Sequence, residues 1–544
     1  MLLIKISRSL LIGCFCAAGS VYGQSVQSSF VLDARYLLNE RLVLNGETVC
    51  LAQNSIVGFM KSELRLNAFG RSTMSPMGSF SKLPEIEKYK NSGIAGLVYR
   101  GTQALVFQYS LKMSGEALFF VQIVDLGKGT SEYIDLATTT TNVLAMDTYH
   151  MAVNSDNTQF VVWTATSGPN APVQGLLVKS FSLADLKENW SQVVDFSQDE
   201  NVKQAVVQMN VDAKGRAFMT VQHQEKNDKT KSTYALGTVK LTTVTKQEFI
   251  KVSDAGVDHL ELPQSIGFLR NTMLQLNEGS GEVYVVGTYV DPSLKLAEGF
   301  DLTSGVVQYT TDMESPKVWR PKLISFQEGD LEPNAVEYSN YKTFNIKDGA
   351  VDRKFSDAEI IINPNGGFYF LGYANSTTIV DMDKYQYEEL DKGPILILSF
   401  DQKGDLQWKK IVGFHQTWVT SKFVESAGVK PIATKNGISL LYVGQSSAPP
   451  TKKVDGVRSH SDTQPELEKT QLVRIDVTSD AVLRKDVVST SVFHFHPHLR
   501  NAIADDLGEN IWLVAKGTKN ESLKVAKRAP ANGQFMYHIQ LTKD

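Results

Sequence analysis

Three of the nine histidines in this 544-residue chain fall in one hexapeptide, Phe493-His494-Phe495-His496-Pro497-His498. On an extended strand, alternate residues share a face. His494, His496 and His498 would then offer three imidazoles on one side, a donor set that suits zinc or copper. Three features oppose that chemistry. Side chains at i and i+2 of one strand diverge, and Pro497 removes a backbone donor. No carboxylate lies in the segment to complete a site. The run reads as a polar sheet edge or loop, with no metal and no cofactor expected.

A second candidate is Asp381-Met382-Asp383-Lys384-Tyr385-Gln386-Tyr387-Glu388-Glu389-Leu390-Asp391. Hard oxygen ligands suit calcium, and the run opens Asp-x-Asp. A calcium loop turns on Gly at the position held here by Gln386, and the glutamates are out of register. The run reads as a solvated hairpin tip in which Tyr385 and Tyr387 offer a contact surface. Aromatics also mark a long insertion, 312–352, carrying Trp319, Tyr338 and Tyr341. A second insertion, 448–469, is polar and holds Pro449-Pro450 and Pro465. Loops longer than about 15 residues are usually functional or disordered, so Trp319, Tyr338, Tyr341, Tyr385 and Tyr387 are the expected binding residues. There is no Gly-x-Ser-x-Gly, no His-Glu-x-x-His and no phosphate loop. An enzyme whose groups converge from several repeats would leave no such local signature.

The chain has 55 basic and 59 acidic residues, net −4. No basic excess is available to neutralise phosphates, so nucleic acid is not an expected partner. An apolar fraction of 42% excludes a disordered chain. Three cysteines exclude a disulfide scaffold and a four-cysteine zinc site.

The N-terminus has the layout of an export signal. Lys5 and Arg8 precede the apolar run Leu10-Leu11-Ile12-Gly13-Cys14-Phe15-Cys16-Ala17-Ala18, and Val21-Tyr22-Gly23 offers small residues for cleavage before Gln24. The competing reading lipidates Cys14 after Leu11-Ile12-Gly13. The run is shorter than the roughly 20 residues of a membrane span, and no transmembrane segment is expected further on. Removing 1–23 takes two basic residues, so 53 − 59 leaves −6, and it leaves Cys50 alone. Within Thr48-Val49-Cys50-Leu51 that cysteine reads as a small buried hydrophobe.

These residues must be positioned by strands. From about Gly96 a unit recurs: a polar turn with Gly, Asn or Asp, a β-rich strand, a loop, a second apolar strand, another polar turn and a third strand. The clearest copy runs from Ala358-Glu359-Ile360-Ile361-Ile362 through the turn Asn363-Pro364-Asn365-Gly366-Gly367, then 368–373, 394–400, Asp401-Gln402-Lys403-Gly404-Asp405 and 406–412. Gly215, Gly281, Gly437 and Gly508 mark equivalent turns in other copies, and weaker copies begin at Arg100-Gly101 and Ser155-Asp156-Asn157. Four strands and short turns need roughly 40–50 residues, the period of propeller blades. Helical stretches are scarce; the best candidate is 182–190. The expected fold is an all-β β-propeller of six to eight four-stranded blades, seven favoured, over 84–544. Residues 24–83, with an Asn45-Gly46 hairpin signal, would form a strap or first-blade strands, and 30–43 could pair with 536–541 to close the ring. Trp408, opening an apolar strand, is the expected buried anchor.

The stretch from about Asn340 to Val488 resembles an uncharacterised family of exported β-propeller-like proteins common in Bacteroidota. The resemblance is carried by Asn363-Pro364-Asn365-Gly366-Gly367-Phe368-Tyr369-Phe370-Leu371-Gly372 and by Pro394-Ile395-Leu396-Ile397-Leu398-Ser399-Phe400 running into Asp401-Gln402-Lys403-Gly404-Asp405-Leu406-Gln407-Trp408-Lys409-Lys410-Ile411. It implies export from a Gram-negative cell and no catalytic residue. The segment 401–408 is also similar to the Trp-bearing repeat of pyrroloquinoline-quinone-type propellers. The other copies depart from it, with Tyr309, Phe249 and Arg484 in the Trp position. Quinone dehydrogenases of that type carry adjacent cysteines, which the processed chain lacks. The expected function is an exported, non-enzymatic binding or scaffold module for an envelope protein or glycan, periplasmic, outer-membrane-associated or extracellular. The alternative is a propeller lyase or hydrolase acting on carbohydrate from a central channel.

Overall fold

The computed structural model describes residues 25–32, 37–56, 62–82, 87–89, 92–100, 103–111, 116–140, 149–166, 175–196, 202–234, 237–265, 267, 269–289, 305–325, 357–363, 367–382, 385–401, 403–412, 416–420, 429–445, 470–489, 497–505, 509–518 and 532–540. The expected export signal, 1–23, lies outside them. No helix among the described residues is long and apolar enough to cross a membrane.

The strands form eight antiparallel sheets, and within seven of them neighbours in sequence are neighbours in space. These are blades 1 to 7, spanning 37–82, 92–140, 150–195, 202–261, 270–325, 357–412 and 429–489. Blade 8 has Pro497–Ala504 innermost, then Asn510–Thr518 and Asn532–Gln540. Its outer strand is the N-terminal Ser25–Leu32, paired with the last strand from Ser25 opposite Gln540 to Phe30 opposite Phe535. The first strand of each blade touches the first strand of the next, and blade 8 touches blade 1. The molecule is an eight-bladed β-propeller closed by pairing of its two ends, which leaves only short protected sheet edges.

Eight is within the expected range and one above the favoured seven. The extra blade is 37–82, whose Asn45-Gly46 turn joins the first two of four paired strands. The strand expected at 30–43 is two strands in two blades, Ser25–Leu32 in blade 8 and Leu37–Asn45 in blade 1. The expected helix at 182–190 is a tight turn followed by the strand Glu188–Asp195. There the Leu186 amide donates to the Ser182 carbonyl (3.0 Å) and the Ser182 amide to the Lys187 carbonyl (2.9 Å). That closes a hairpin rather than propagating a helix.

Strand alternation explains why the blades are apolar on both faces. In blade 1, Val49 and Leu51 pack against Trp512 and Val514 of blade 8, while Cys50 and Ala52 pack against Ile94 and Val106 of blade 2. In blade 4, Met219 and Ile250 face Val161 and Val178 of blade 3, while Phe218 and Phe249 face Val285 and Tyr309 of blade 5. Each fully buried aliphatic or Phe side chain contributes roughly 1.5–3 kcal/mol, so the fold is held between blades as much as within them. Cys50 is 1% exposed, and burial pushes its thiol up to about 12. It is a packed hydrophobe. Trp408 is only half-buried, tilted against Tyr369 at 5.8 Å. Among the described residues the most deeply buried tryptophan is Trp512.

Candidate binding face

Antiparallel order decides which connections share an end of the propeller. First-to-second and third-to-fourth strand connections lie at one end. Second-to-third connections and the links between blades lie at the other. At the first end no connection between consecutive strands is longer than the seven residues 313–319. The polar turns read in the sequence are there, and their carboxylates and amides cap backbone N–H groups. Asp212 Oδ1 accepts from the amides of Lys214 (3.1 Å) and Arg216 (2.9 Å). Asn154 Oδ1 does the same for Thr158 (3.0 Å) and Gln159 (2.9 Å), and Asp401 Oδ1 for Lys403 and Asp405, both at 2.8 Å. At Gly404, φ is +72° and a Cβ would sit 2.1 Å from Gln308 Nε2 of blade 5, so turn and neighbouring blade are fitted together. This is the closed end.

The opposite, open end receives the connections 290–304, 326–356, 446–469 and 519–531. It also carries two ribbons that extend blades beyond their own sheets. In blade 4, Ala217–Tyr234 and Gly237–Ser253 pair as far as Tyr234 opposite Gly237. The inner strand covers this hairpin only to Glu225, and the outer strand only to Glu248. In blade 6, Phe368–Met382 and Tyr385–Phe400 pair as far as Met382 opposite Tyr385. Here the inner strand stops at Tyr373, and an added strand, Gln416–Thr420, pairs along 388–392.

At the base of the blade 4 ribbon lies a charged cluster between blades 3 and 4. Glu248, with a side chain 4% exposed, binds His223 Nε2 through Oε1 (2.6 Å), and through Oε2 it meets Lys246 Nζ (3.1 Å) and His259 Nδ1 (3.4 Å). Phe196 stands edge-on to His223 at 5.7 Å. Burial alone would raise the Glu248 pKa, but the hydrogen bonds from His223, His259 and Lys246 reverse this and hold it far below the usual carboxylate range. The two histidines sit on opposite oxygens of the carboxylate. No group of three His, Cys, Asp or Glu among the described residues is arranged to hold a metal ion.

Two clefts open at the closed end. One, of about 780 Å³, is lined by Gln159, Asn189, Trp190, Lys214, Arg216 and Glu314. Its cations are already paired: Arg216 with Asp212 (2.7 Å) and Glu314 (2.6 Å), Lys214 with Glu314 (2.7 Å). Hydrogen bonds from Arg216 and Lys214 bring the Glu314 carboxyl down to about 2. The other, of about 510 Å³, borders Arg100, whose guanidinium is held by the Leu183 (3.0 Å) and Ala184 (2.7 Å) carbonyls. Tyr373 Oη, on the second strand of blade 6, donates to Glu359 on its inner strand, and on the inner strand of blade 7 burial lowers the Lys430 pKa against the opposing pull of Glu359.

The structure separates the residues that the sequence grouped for binding. Trp319 is 9% exposed and packs against Phe249 (5.6 Å) and Tyr309 (5.9 Å), with Nε1 donating to the Glu261 carbonyl (2.9 Å). It is a core residue at the head of the outer strand Arg320–Ser325, so the insertion expected at 312–352 contains a blade strand, and only 326–356 is an inter-blade connection. Tyr338 and Tyr341 lie outside the described residues, as do 448–469, His494 and His496. Tyr385 and Tyr387 occupy alternate positions of one strand of the blade 6 ribbon, opposite Met382 and Val380. His498 lies in Pro497–Ala504, opposite Val514. The Glu248 cluster was not legible in sequence. Its members are 25 and 11 residues apart, and only the register of three strands brings them together.

No protein-family model matches this chain, and no curated protein matches it. Solved structures resemble it in shape alone. The quinohemoprotein alcohol dehydrogenase of Comamonas testosteroni is 8% identical over 95% of this chain and 78% of its own, with a TM-score of 0.40. The β-propeller domain of the trilobed protease of Pyrococcus furiosus is 10% identical over 83% and 96%, at 0.31. The periplasmic gluconolactonase of Pseudomonas aeruginosa is 10% identical over 70% and 88%, at 0.31. At such values none carries an argument about activity or ligand.

Proposed function

We propose that this chain is an exported, non-enzymatic binding or scaffold module that takes an envelope protein or glycan on its open end. The observation that carries this reading is the asymmetry of the two ends. One is built of short capped turns with clefts whose charged side chains are already partnered, and the other carries both ribbons and the longer connections. Scaffolds that vary only in loops at one face keep recognition and stability on separate residues. Export rests on the N-terminal sequence of basic, apolar and small residues. The test immobilises the processed chain and measures retention of defined envelope proteins and purified cell-wall glycans. Replacing 375–392 by Asn-Gly should abolish retention, and Lys214→Ala at the closed end should leave it unchanged. Equal retention by the shortened variant would overturn the reading.

A second reading, a carbohydrate lyase or hydrolase working from the channel, has one observation in its favour. Glu359 on the inner strand of blade 6 accepts from Tyr373 on the second strand, and Lys430 on the inner strand of blade 7 is biased by burial towards its neutral form against the pull of Glu359. Release of reducing ends or unsaturated products from polysaccharide, lost in Lys430→Ala, would establish it.

A further inference from the structure

We infer that the two ribbons pair the open ends of two copies of this chain, basic ribbon to acidic ribbon. This rests on the open end being the recognition surface, and it names a second copy as one occupant. The blade 4 ribbon carries Lys226, Lys229, Lys231 and Lys240 against Asp228 within 226–240. The two strands of the blade 6 ribbon carry Asp381, Glu388, Glu389 and Asp391 against Lys392 within 375–382 and 385–392. The excess is three charges on each, of opposite sign, 4 − 1 in both.

Within the basic ribbon, Lys231 stands directly opposite Lys240 in register. Like charges in cross-strand pairs destabilise a two-stranded ribbon, which is marginal in isolation even without them. Among the described residues no further strand flanks 226–240, nor the inner edge of 375–382. An anionic surface brought against the basic ribbon relieves that repulsion, and the chain carries such a surface on its own blade 6.

The arrangement is self-complementary. Blades 4 and 6 are separated by one blade in a ring of eight. A two-fold axis perpendicular to the propeller axis and passing over blade 5 exchanges their positions. Two copies placed open end to open end about that axis set each basic ribbon against the partner's acidic ribbon, twice. This is the isologous contact expected of a closed dimer. Both ribbons extend beyond the inner strands of their own blades.

The experiment is sedimentation velocity on the processed chain and two charge-reversal variants, Lys231→Glu/Lys240→Glu and Glu388→Lys/Glu389→Lys. The wild type should sediment as a dimer at 50 mM salt and as a monomer at 500 mM, because exposed charges are screened beyond a length of about 10 Å at 0.1 M and less at higher salt. Each variant alone should be monomeric, since both of its ribbons then carry net charge of the same sign. An equimolar mixture of the two variants should restore a heterodimer. A wild type that stays monomeric at low salt, or variants that dimerise alone as well as the wild type does, would overturn the inference. So would a monomeric wild type that sediments with anionic vesicles or heparin through the same lysines. The variants are also run in the retention assay. A wild type that stays monomeric at low salt yet retains an envelope ligand would remove self-pairing and leave the open-end reading standing. A dimer that responds to charge reversal as expected, with no envelope ligand retained by the wild type or either variant, would leave self-pairing standing and remove that reading.

Discussion

Truncating Trp512 should cost more than any other single change at the seam where the ring closes. The indole is 1% exposed and lies between Val49, Leu51, Phe69 and Met74 of blade 1 and Val514 of its own blade. Its Nε1 donates to the Arg71 carbonyl at 2.9 Å, the Arg71 guanidinium lies 5.1 Å from the ring centre, and His538 stacks on it at 5.0 Å. Removing a buried Trp side chain costs about 3–5 kcal/mol. The lost hydrogen bond adds about 1 kcal/mol. The exposed-side cation–π contact adds about 0.5–1 kcal/mol. Part of the contact energy is already in the first figure, so Trp512→Ala should lose about 4–6 kcal/mol. Trp512→Phe keeps most of the apolar volume and should lose about 1–2 kcal/mol, near the hydrogen-bond and cation–π contributions together. Urea unfolding with linear extrapolation measures both. The internal control is Trp408→Ala, where the ring is half-buried and the loss should be about 1–2.5 kcal/mol, half or less of a full core truncation. A Trp512→Ala loss below about 1 kcal/mol, or one no larger than that of Trp408→Ala, would refute the seam argument.

Three further outcomes follow from the geometry. Gly404→Ala should lose about 1–2 kcal/mol in urea unfolding, because its φ of +72° is costly with a Cβ and the group facing it, Gln308, is 2% exposed; an unchanged midpoint would show that the turn relaxes freely. The folded-state pKa of Glu248 is depressed below its unfolded value of about 4.3. Its contribution is therefore present above that pH and is lost as the pH falls, so the stability gap between wild type and Glu248→Gln should narrow from about pH 5 downward; a gap that widens in acid would have the wrong sign. Native protein should leave Cys50 unmodified by iodoacetamide at pH 8, since the thiol is 1% exposed and its pKa is pushed up to about 12, while unfolded protein reacts; rapid native labelling, read by mass spectrometry, would contradict the packing.

The repeat was legible because hairpin turns punctuate it. Asp212, Asn363 and Asp401 mark turns that the structure forms, and 358–362, 368–373, 394–400 and 406–412 are all strand. The strands in 24–83 were harder to group, because the unit's polar turn is there a bare Asn45-Gly46 pair and the preceding residues divide between two blades. Tryptophans were ranked by their local sequence, which showed Trp408 after a polar turn. Depth depends on which blade faces which, and that favours Trp512 at the closing interface. The same limit applies to Trp319. It sits among acids and aromatics in sequence, yet Phe249 of another blade encloses it. The charged groupings were least legible where register organises them, as with Glu248 and His223, or with Lys231 opposite Lys240.

Hydroxyl-radical footprinting of the chain from Gln24 onward, alone and with a retained envelope protein or glycan, tests the central claim most directly. The account predicts protection on 226–240 and 375–392, with the closed-end turns 154–158, 212–216 and 401–405 reacting as in the free protein. Protection confined to those closed-end turns, or a ligand consumed and converted to product during the experiment, would contradict it.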